Sequence, residues 1–357
     1  MTGRVRSPRR DYDGASFLEE NAPFPVGIQL FKGGLTRGSL PSKVGGNFGV
    51  CSTGGHYTSL VEHRRTKIRE ECMTDEVPDE IAIDADTQEQ ASAAVRLFLK
   101  QRSVSLVGFR NSEPCEIGSA TCIQIAGRNF LATAAHVILP YPDEQLLIVH
   151  QGVGPLPIMN RGTRGGSTND TDDVAWLEVS ADTAARIEKT FIPLSHLHIS
   201  LTHDPELWTL MYGFPSKLID KTKLAQQELG VTPLAYSTGT IAPENWPSDC
   251  DPSSDVVLNY PDKNNRLENG REYQLPDPHG MSGGGFWFVT PKTGSIWHPE
   301  AHLFGIDRAW WPHRRFARGT QVRRWLNVLG EDIPELATII NSHIQAQSSD
   351  VDQTSPD

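Results

Sequence analysis

The chain has 357 residues, 38% of them hydrophobic and 22% charged, with a formal net charge of −11 at pH 7. This composition is typical of a soluble globular protein, and so acidic a chain is not expected to bind nucleic acid non-specifically. No apolar run approaches the roughly 18 residues that cross a bilayer, and the N-terminal MTGRVRSPRR lacks the apolar core of a secretory signal. We therefore expect a cytoplasmic protein without membrane contact.

The cysteine content points the same way. The five cysteines show no CxxC spacing and are odd in number, so neither a disulfide framework nor a zinc site is expected. A reducing compartment suits such a chain best. The cysteines are Cys51, Cys72, Cys115, Cys122 and Cys250.

The first 85 residues predict an irregular N-terminal extension whose role the sequence does not give. Residues 1–25 are basic and then mixed, which favours disorder, and residues 26–60 are glycine-rich and at most weakly β. The charged run at 63–71 is consistent with one solvated helix, and the acidic stretch 75–86 with a linker.

A helix is predicted over residues 88–101, because Ala91, Val95 and Leu99 recur at four-residue spacing. Many short strands follow, separated by loops rich in Gly, Pro and Asp, which is typical of an all-β barrel or sandwich. Gly127-Arg128 suits a hairpin turn with glycine in its first central position. The predicted strands cover residues 103–109, 120–125, 130–134, 146–149, 174–179, 207–212, 256–259, 285–289 and 302–306.

The end of the chain predicts one short amphipathic helix at residues 333–344. The polar residues that follow it offer little apolar surface to bury, so we expect a disordered tail.

Three segments carry residue types suited to chemistry. A hairpin of small and apolar residues delivers His136 at its end, Asp172 and Asp173 enter the apolar strand 174–179, and Ser282 is embedded in glycines. A serine hydroxyl needs a base to take its proton, a histidine titrates near neutrality, and a carboxylate can orient the imidazole. Glycines beside the serine allow backbone N–H groups to face a developing oxyanion.

Of the two neighbouring aspartates, Asp173 is the preferred partner of the histidine, because Val174 and Ala175 follow it immediately. Asp172 is then expected to be an ordinary exposed carboxylate.

The words TAAHV, DDVAWL and GMSGGG, in this order, resemble those of the trypsin-like (chymotrypsin-fold) serine peptidases. The spacings fit that family as well, with 173 − 136 = 37 and 282 − 173 = 109 residues. The resemblance covers about residues 100–330 and is nearer to the cytoplasmic bacterial members than to secreted digestive enzymes. It extends to Trp208–Pro215 and Leu303–Ile306, which resemble strands of the second barrel.

The resemblance implies an all-β, chymotrypsin-like double β-barrel with a C-terminal helix. The peptidase domain would occupy residues 86–335 and split near 200 into two barrels, with a helix end and disordered tail at 336–357. It further implies a serine endopeptidase that acts on protein or peptide substrates without metal or cofactor. Ser282 would be the nucleophile, His136 the base and Asp173 the orienting acid, with the N–H groups of Gly280 and Ser282 as the oxyanion hole.

Two other interpretations of the site stay open. A catalytically silent interaction or sensor module could use the same fold. Residues 280–284 also satisfy the Gly-x-Ser-x-Gly elbow of α/β-hydrolases, which requires a helix directly after the serine.

The region after Gly305 bears on substrates and partners. Asp307 and Arg308 are candidates for the specificity pocket; an Asp307–Arg308 pair would leave an apolar pocket, so we rank small or apolar side chains first, basic second and acidic third. An arginine cluster nearby either binds an acidic partner or the phosphate of a nucleic acid, or is a solvated loop and helix face. It comprises Arg308, Arg314, Arg315, Arg318, Arg323 and Arg324.

Overall fold

The computed structural model of the chain describes residues 85–353 apart from short internal gaps. The extension predicted for residues 1–85 lies outside this part except for its last residue, and so do residues 354–357. The described ranges are 85–110, 113–142, 145–150, 153–157, 163–169, 172–199, 207–220, 222, 229–260, 265–266, 272–273, 275–290, 300–311 and 313–353.

Strands dominate these ranges, as the sequence predicts. All nine predicted strands are present, with shifted ends at most of them. The strands are β1 Ser103–Arg110, β2 Glu113–Ile125, β3 Arg128–Thr133, β4 Leu147–His150, β5 Val153–Pro157, β6 Arg164–Ser167, β7 Val174–Val179, β8 Ile192–Pro193, β9 Trp208–Gly213, β10 Ile219–Asp220, β11 Gly230–Val231, β12 Leu234–Thr238, β13 Asp255–Asn259, β14 Asn265–Arg266, β15 Glu272–Tyr273, β16 Gly285–Thr290, β17 Glu300–Trp311 and β18 Phe316–Gln321.

Helices lie mainly at the two ends of the described chain. None of those described is long and apolar enough to span a membrane. They are α1 Ala85–Lys100, α2 Ala135–Ile138, α3 Ala181–Ile187, α4 Val322–Asp332 and α5 Pro334–Gln353.

The first sheet is antiparallel, in the order β5-β4-β1-β2-β3-β7-β6, with β8 parallel to β2. Successive side chains along a strand face opposite sides, so alternate residues such as Val104 and Leu106 share one face. They pack with Leu131 of β3 and Val137 of α2 into one buried core. The sheet and α2 therefore enclose a common interior.

The turn between β2 and β3 differs from the sequence prediction. Ile125 pairs with Arg128, so the two central residues are Ala126 and Gly127 rather than Gly127 and Arg128. Both have positive φ, 50° and 79°, as a type I′ turn requires.

The second sheet runs β12-β9-β16-β17-β18-β13. Its edges meet: Thr240, just after β12, pairs with Leu258 of β13, and the Ile241 amide donates to the Val257 carbonyl at 2.9 Å. The sheet thus closes on itself around a second core that contains Phe286.

Helices α1, α4 and α5 contribute to a third core that spans both sheets. It includes Leu99 of α1, Trp287 of β16, Trp325 of α4 and Ile340 of α5. The Trp325 indole also donates to the Ala175 carbonyl of β7 at 2.9 Å. The helix that follows the second sheet therefore fixes the two sheets to each other.

Helix α5 extends to Gln353, although the sequence predicts a disordered tail after about residue 344. The side-chain amide of Gln347 donates to the Leu197 carbonyl at 2.7 Å and accepts from the Ile199 amide at 2.9 Å. The structure thus has a helix over residues 346–353 where the sequence predicts disorder, and the Gln347 side chain bonds the segment that connects the two sheets.

Candidate active site

The three predicted catalytic residues lie where the two sheets meet. His136 is in α2 directly after β3, Asp173 precedes β7, and Ser282 precedes β16. The amide of Ser119 in β2 donates to the Ser282 carbonyl at 2.8 Å and so joins the serine loop to the first sheet.

Gly118 permits this close approach. A Cβ there would lie 2.6 Å from a methyl carbon of Val137 and 2.7 Å from the Ser282 carbonyl oxygen. Only glycine has room between the serine loop and the helix that carries His136.

Asp173 holds both the imidazole and the backbone of His136. Its Oδ2 lies 2.7 Å from Nδ1 of His136, and its Oδ1 accepts the His136 amide at 3.0 Å. Asp173 has φ of 35°, a left-handed conformation that aspartate tolerates better than most residues. With Nδ1 engaged, Nε2 is the ring nitrogen that can exchange a proton with a neighbour.

Asp172 is not the exposed carboxylate that the sequence suggests; only 3% of it is exposed. Both of its oxygens accept from Arg324 of α4, each at 2.8 Å. This bidentate pairing lowers the pKa of Asp172 below its usual range. The two adjacent aspartates therefore serve different partners: Asp172 anchors α4, and Asp173 faces the histidine.

Ser282 does not share a hydrogen bond with His136 in the described chain. Its hydroxyl instead donates to the Arg308 carbonyl at 3.5 Å, which is at the outer limit for such a bond. The structure brings His136 and Asp173 together as predicted, whereas the predicted contact between His136 and the Ser282 hydroxyl is absent and that hydroxyl faces the Arg308 carbonyl of β17.

The backbone around Ser282 leaves two amides available. The amides of Met281, Gly283 and Gly284 donate to backbone carbonyls at 2.6–2.8 Å. Those of Gly280 and Ser282 have no acceptor among the described residues. Gly280 and Gly283 have φ of 96° and 85°, which favours glycine at both positions. The predicted oxyanion-hole donors are thus the two amides that the loop does not use.

Asp307 is fully enclosed, with 3% of its surface exposed, and its Oδ1 has no partner among the described residues. Burial raises the pKa of Asp307 well above its usual range, and the neighbouring Asp173 adds to this. The backbone amides of Arg308 and Ala309 partly oppose the increase. Asp307 therefore keeps its proton to higher pH than an ordinary aspartate.

Arg308 is paired with Asp255 of β13 and not with Asp307, the partner that the sequence suggests. Its Nη2 lies 2.6 Å from Oδ1 of Asp255, while Arg318 lies 2.5 Å from the other oxygen. The prediction of an Asp307–Arg308 pair is wrong, because the Arg308 guanidinium binds a buried carboxylate 53 residues upstream.

The arginine cluster is likewise divided among separate aspartates. Arg308 and Arg318 share Asp255, Arg324 pairs with Asp172, and Arg314 lies 3.1 Å from Asp249. Four of the six arginines are therefore paired with three separate aspartates, which disfavours a single phosphate-binding surface.

The chain after Ser282 enters strand β16 at Gly285 rather than a helix. The α/β-hydrolase elbow is therefore wrong for this serine.

Sequence reasoning missed Ser119 and Ser216. The Ser119 hydroxyl donates to the Gly280 carbonyl, and Ser216 donates twice to the His279 carbonyl. Ser119 lies in the small-residue segment before the hairpin, where a hydroxyl among otherwise apolar small residues is the one available signal.

Two mainly antiparallel sheets, each with its own core, meet at a histidine–aspartate pair and at a serine in a glycine-rich loop. A helix that follows the second sheet connects the two sheets. The fold is chymotrypsin-like. Neither a protein-family model nor a curated protein sequence matches this chain.

Solved structures that are similar to this chain at low identity include two viral proteases and an inactivated protease paralogue. The scabies mite inactivated protease paralogue S-I1 has 12% identity and a TM-score of 0.43, over 67% of this chain and 96% of that one. The serine protease domain of the Sesbania mosaic virus polyprotein has 15% identity and a TM-score of 0.36, over 61% and 88%. Catalytically active tobacco etch virus protease has 11% identity and a TM-score of 0.36, over 62% and 73%. At these values the likenesses carry no inference about activity.

Proposed function

We propose that this protein is a serine endopeptidase that forms an acyl-enzyme on Ser282. The observation that carries the proposal is the 2.7 Å contact between His136 Nδ1 and Asp173, beside a serine loop whose two unused amides are those of Gly280 and Ser282. This combination supplies a base, its orienting acid, a nucleophile and two donors for an oxyanion.

In the proposed reaction, Oγ of Ser282 bonds to the carbonyl carbon of the scissile peptide while its proton passes to Nε2 of His136. The carbonyl oxygen becomes an oxyanion that accepts from the amides of Gly280 and Ser282. The C–N bond then breaks, and the amine leaves with the proton from His136. Water repeats the sequence on the ester and regenerates the serine.

Asp173 supports both halves of this cycle. Its contact with Nδ1 keeps the proton on that nitrogen, which leaves Nε2 as the base, and its negative charge stabilises the imidazolium. Because its other oxygen accepts the His136 amide, the ring and its backbone are positioned by one side chain.

The serine hydroxyl must first turn from Arg308 toward Nε2. The present contact of 3.5 Å is too long to oppose this rotation strongly. Catalytic hydrogen bonds are often loose without substrate and tighten when it binds.

We propose small or apolar side chains at the cleaved position. The Arg308 carbonyl lies at the Ser282 hydroxyl, so a bound substrate would reach residues 307–309. Neither neighbouring side chain offers an ordinary free charge there, because burial raises the pKa of Asp307 well above its usual range and Arg308 is paired with Asp255. A positional-scanning peptide library tests this, and cleavage only after acidic or basic residues would contradict it.

The test of the enzyme itself is hydrolysis of such a library by the wild type and by Ser282→Ala, His136→Ala and Asp173→Asn. Each variant should lose about 10⁴-fold or more in kcat, and the triple variant little more than the worst single one. Ser342→Ala, on the exposed side of α5, is the matched control and should retain full activity. Wild-type turnover by Ser282→Ala would refute the proposal.

A catalytically silent module is the second candidate, and the turned hydroxyl of Ser282 is the observation that favours it. It predicts that the wild type hydrolyses no member of the library and that Ser282→Ala changes nothing measurable.

A further inference from the structure

Gly280 lies between two peptide units whose carbonyls are both bonded to serine hydroxyls. The His279 carbonyl accepts from the Ser216 amide at 2.8 Å and from the Ser216 hydroxyl at 2.9 Å. The Gly280 carbonyl accepts from the Ser119 hydroxyl, also at 2.9 Å.

These bonds determine where the Gly280 amide points. The peptide bonds here are trans, so the C=O of residue 279 and the N–H of residue 280 face opposite directions. With the His279 oxygen held on Ser216, the Gly280 N–H is directed away from Ser216, and it has no acceptor among the described residues.

Glycine makes such a restraint necessary. Gly280 has φ of 96° and no Cβ, so its backbone could adopt several conformations at little cost. A Cβ at this position would lie 2.6 Å from the Ser216 hydroxyl, which shows how closely the two residues approach. Rotation of the 279–280 peptide unit would replace the N–H donor with a carbonyl oxygen.

From these contacts we infer that Ser119 and Ser216 are positioning residues that hold the Gly280 amide in place as an oxyanion donor. This inference rests on the proposed peptidase function. Neither side chain contacts the reacting atoms; each acts through the backbone of the serine loop.

Ser216 offers the cleaner test of the two. Ser119 is fully buried and its hydroxyl also accepts the Phe214 amide at 2.9 Å, so removing it would leave two backbone groups unpaired. Ser216 is partly exposed, and Ser216→Ala retains the bond from its own amide. Ser216→Thr keeps the hydroxyl and is the matched control.

The kinetic arm measures kcat and KM on a peptide cleaved by the wild type, and inhibition by the corresponding peptide aldehyde. Ser282 adds to the aldehyde carbon, and the resulting hemiacetal oxygen occupies the oxyanion position. Ser216→Ala should lower kcat and aldehyde affinity about threefold to tenfold, as the loss of one net hydrogen bond predicts, with KM unchanged. Ser216→Thr should restore both. Equal values for Ser216→Ala and wild type, or equal losses in both variants, would overturn the inference.

A second arm does not depend on activity. The sequence contains one His-Gly dipeptide, His279-Gly280, so protein labelled with carbonyl-¹³C histidine and ¹⁵N glycine gives one carbon-filtered amide signal. We expect a single signal in the wild type and Ser216→Thr, and a broadened or doubled one in Ser216→Ala. An unchanged signal in Ser216→Ala would overturn the inference, whereas a wild type without hydrolysis but with the expected signals would refute only the proposed function.

Discussion

Replacing Asp255 with asparagine should destabilise the protein strongly, because this side chain holds two arginines inside the second sheet. Asp255 is completely buried, and the side chains of Arg308 and Arg318 are 4% and 9% exposed. One carboxylate oxygen contacts Arg308 at 2.6 Å; the other contacts Arg318 at 2.5 Å and accepts the Asp251 amide at 2.7 Å. Asparagine preserves the volume but leaves two buried cations without an anion.

Breaking a buried pair by removing one partner costs about 3–5 kcal/mol, and the loss of one carboxylate from two guanidiniums belongs at the upper end of that range. A domain of this size shifts its melting temperature by about 2–4 °C per kcal/mol. We therefore expect Asp255→Asn to unfold about 8–20 °C below the wild type in thermal denaturation, with the midpoint in urea reduced as well.

Asp249→Asn is the matched control, because it removes the same charge from an exposed pair. Asp249 and Arg314 are 53% and 54% exposed and 3.1 Å apart, so their pairing contributes at most about 1 kcal/mol. Adding Arg308→Met to Asp255→Asn should restore part of the loss by removing one unpaired cation. Equal melting temperatures for Asp255→Asn and Asp249→Asn would refute this account of the buried cluster.

Three further predictions concern titration and the end of the chain. Because the folded-state pKa of Asp307 is raised, the free energy of unfolding of the wild type should fall as pH rises through that pKa. Asp307→Asn should reduce this dependence on pH, measured by urea unfolding at several pH values. The same dependence in Asp307→Asn and wild type would contradict the prediction. The pKa of Asp172 is lowered, so its contribution to the free energy of unfolding is present above about pH 4 and is lost on acidification. Asp172→Asn should reduce the free energy of unfolding by about 2 kcal/mol at pH 7 but keep far more peptidase activity than Asp173→Asn. If Asp172→Asn lost more activity than Asp173→Asn, the roles assigned to the two aspartates would be exchanged. Gln347→Ala should lower the free energy of unfolding by about 1–3 kcal/mol, because it leaves the Ile199 amide unpaired. An unchanged free energy of unfolding would instead favour the disordered tail that the sequence predicts.

The strands were predictable where apolar side chains dominate. Strand β7 has the predicted bounds, 174–179, because nearly every residue in it is buried. Strand β17 was predicted to end at Ile306 but continues to Trp311. A bulge between Asp307 and Ala309 lets the strand continue through two buried ionisable residues, Asp307 and Arg308, which in sequence resemble a loop.

The partners of buried charges were not predictable, because they are distant in the chain. Arg308 pairs with a residue 53 positions away, and Arg324 with one 152 positions away. Local composition cannot indicate such pairs, so Asp172 was interpreted as exposed and Asp307 as the partner of Arg308. The Asp173–His136 pair, 37 residues apart, was predicted because the two segments resemble family motifs.

In the serine loop, too, local features were predictable from the sequence and contacts with distant residues were not. Its glycines, with positive φ at Gly280 and Gly283, were expected from the need to expose backbone amides. The hydroxyls that hold Gly280 come from Ser119 and Ser216, which lie in other segments of the chain, so the local sequence of the serine loop does not indicate them.

Covalent labelling by a fluorophosphonate probe tests the central claim most directly, because the reaction requires an activated serine but no knowledge of the substrate. We expect the wild-type protein to gain one adduct, which peptide mass spectrometry locates on Ser282, and Ser282→Ala to gain none. His136→Ala should react at a strongly reduced rate. A wild type that stays unlabelled while correctly folded, or a Ser282→Ala variant labelled as fast as wild type, would contradict the claim that Ser282 is the catalytic nucleophile.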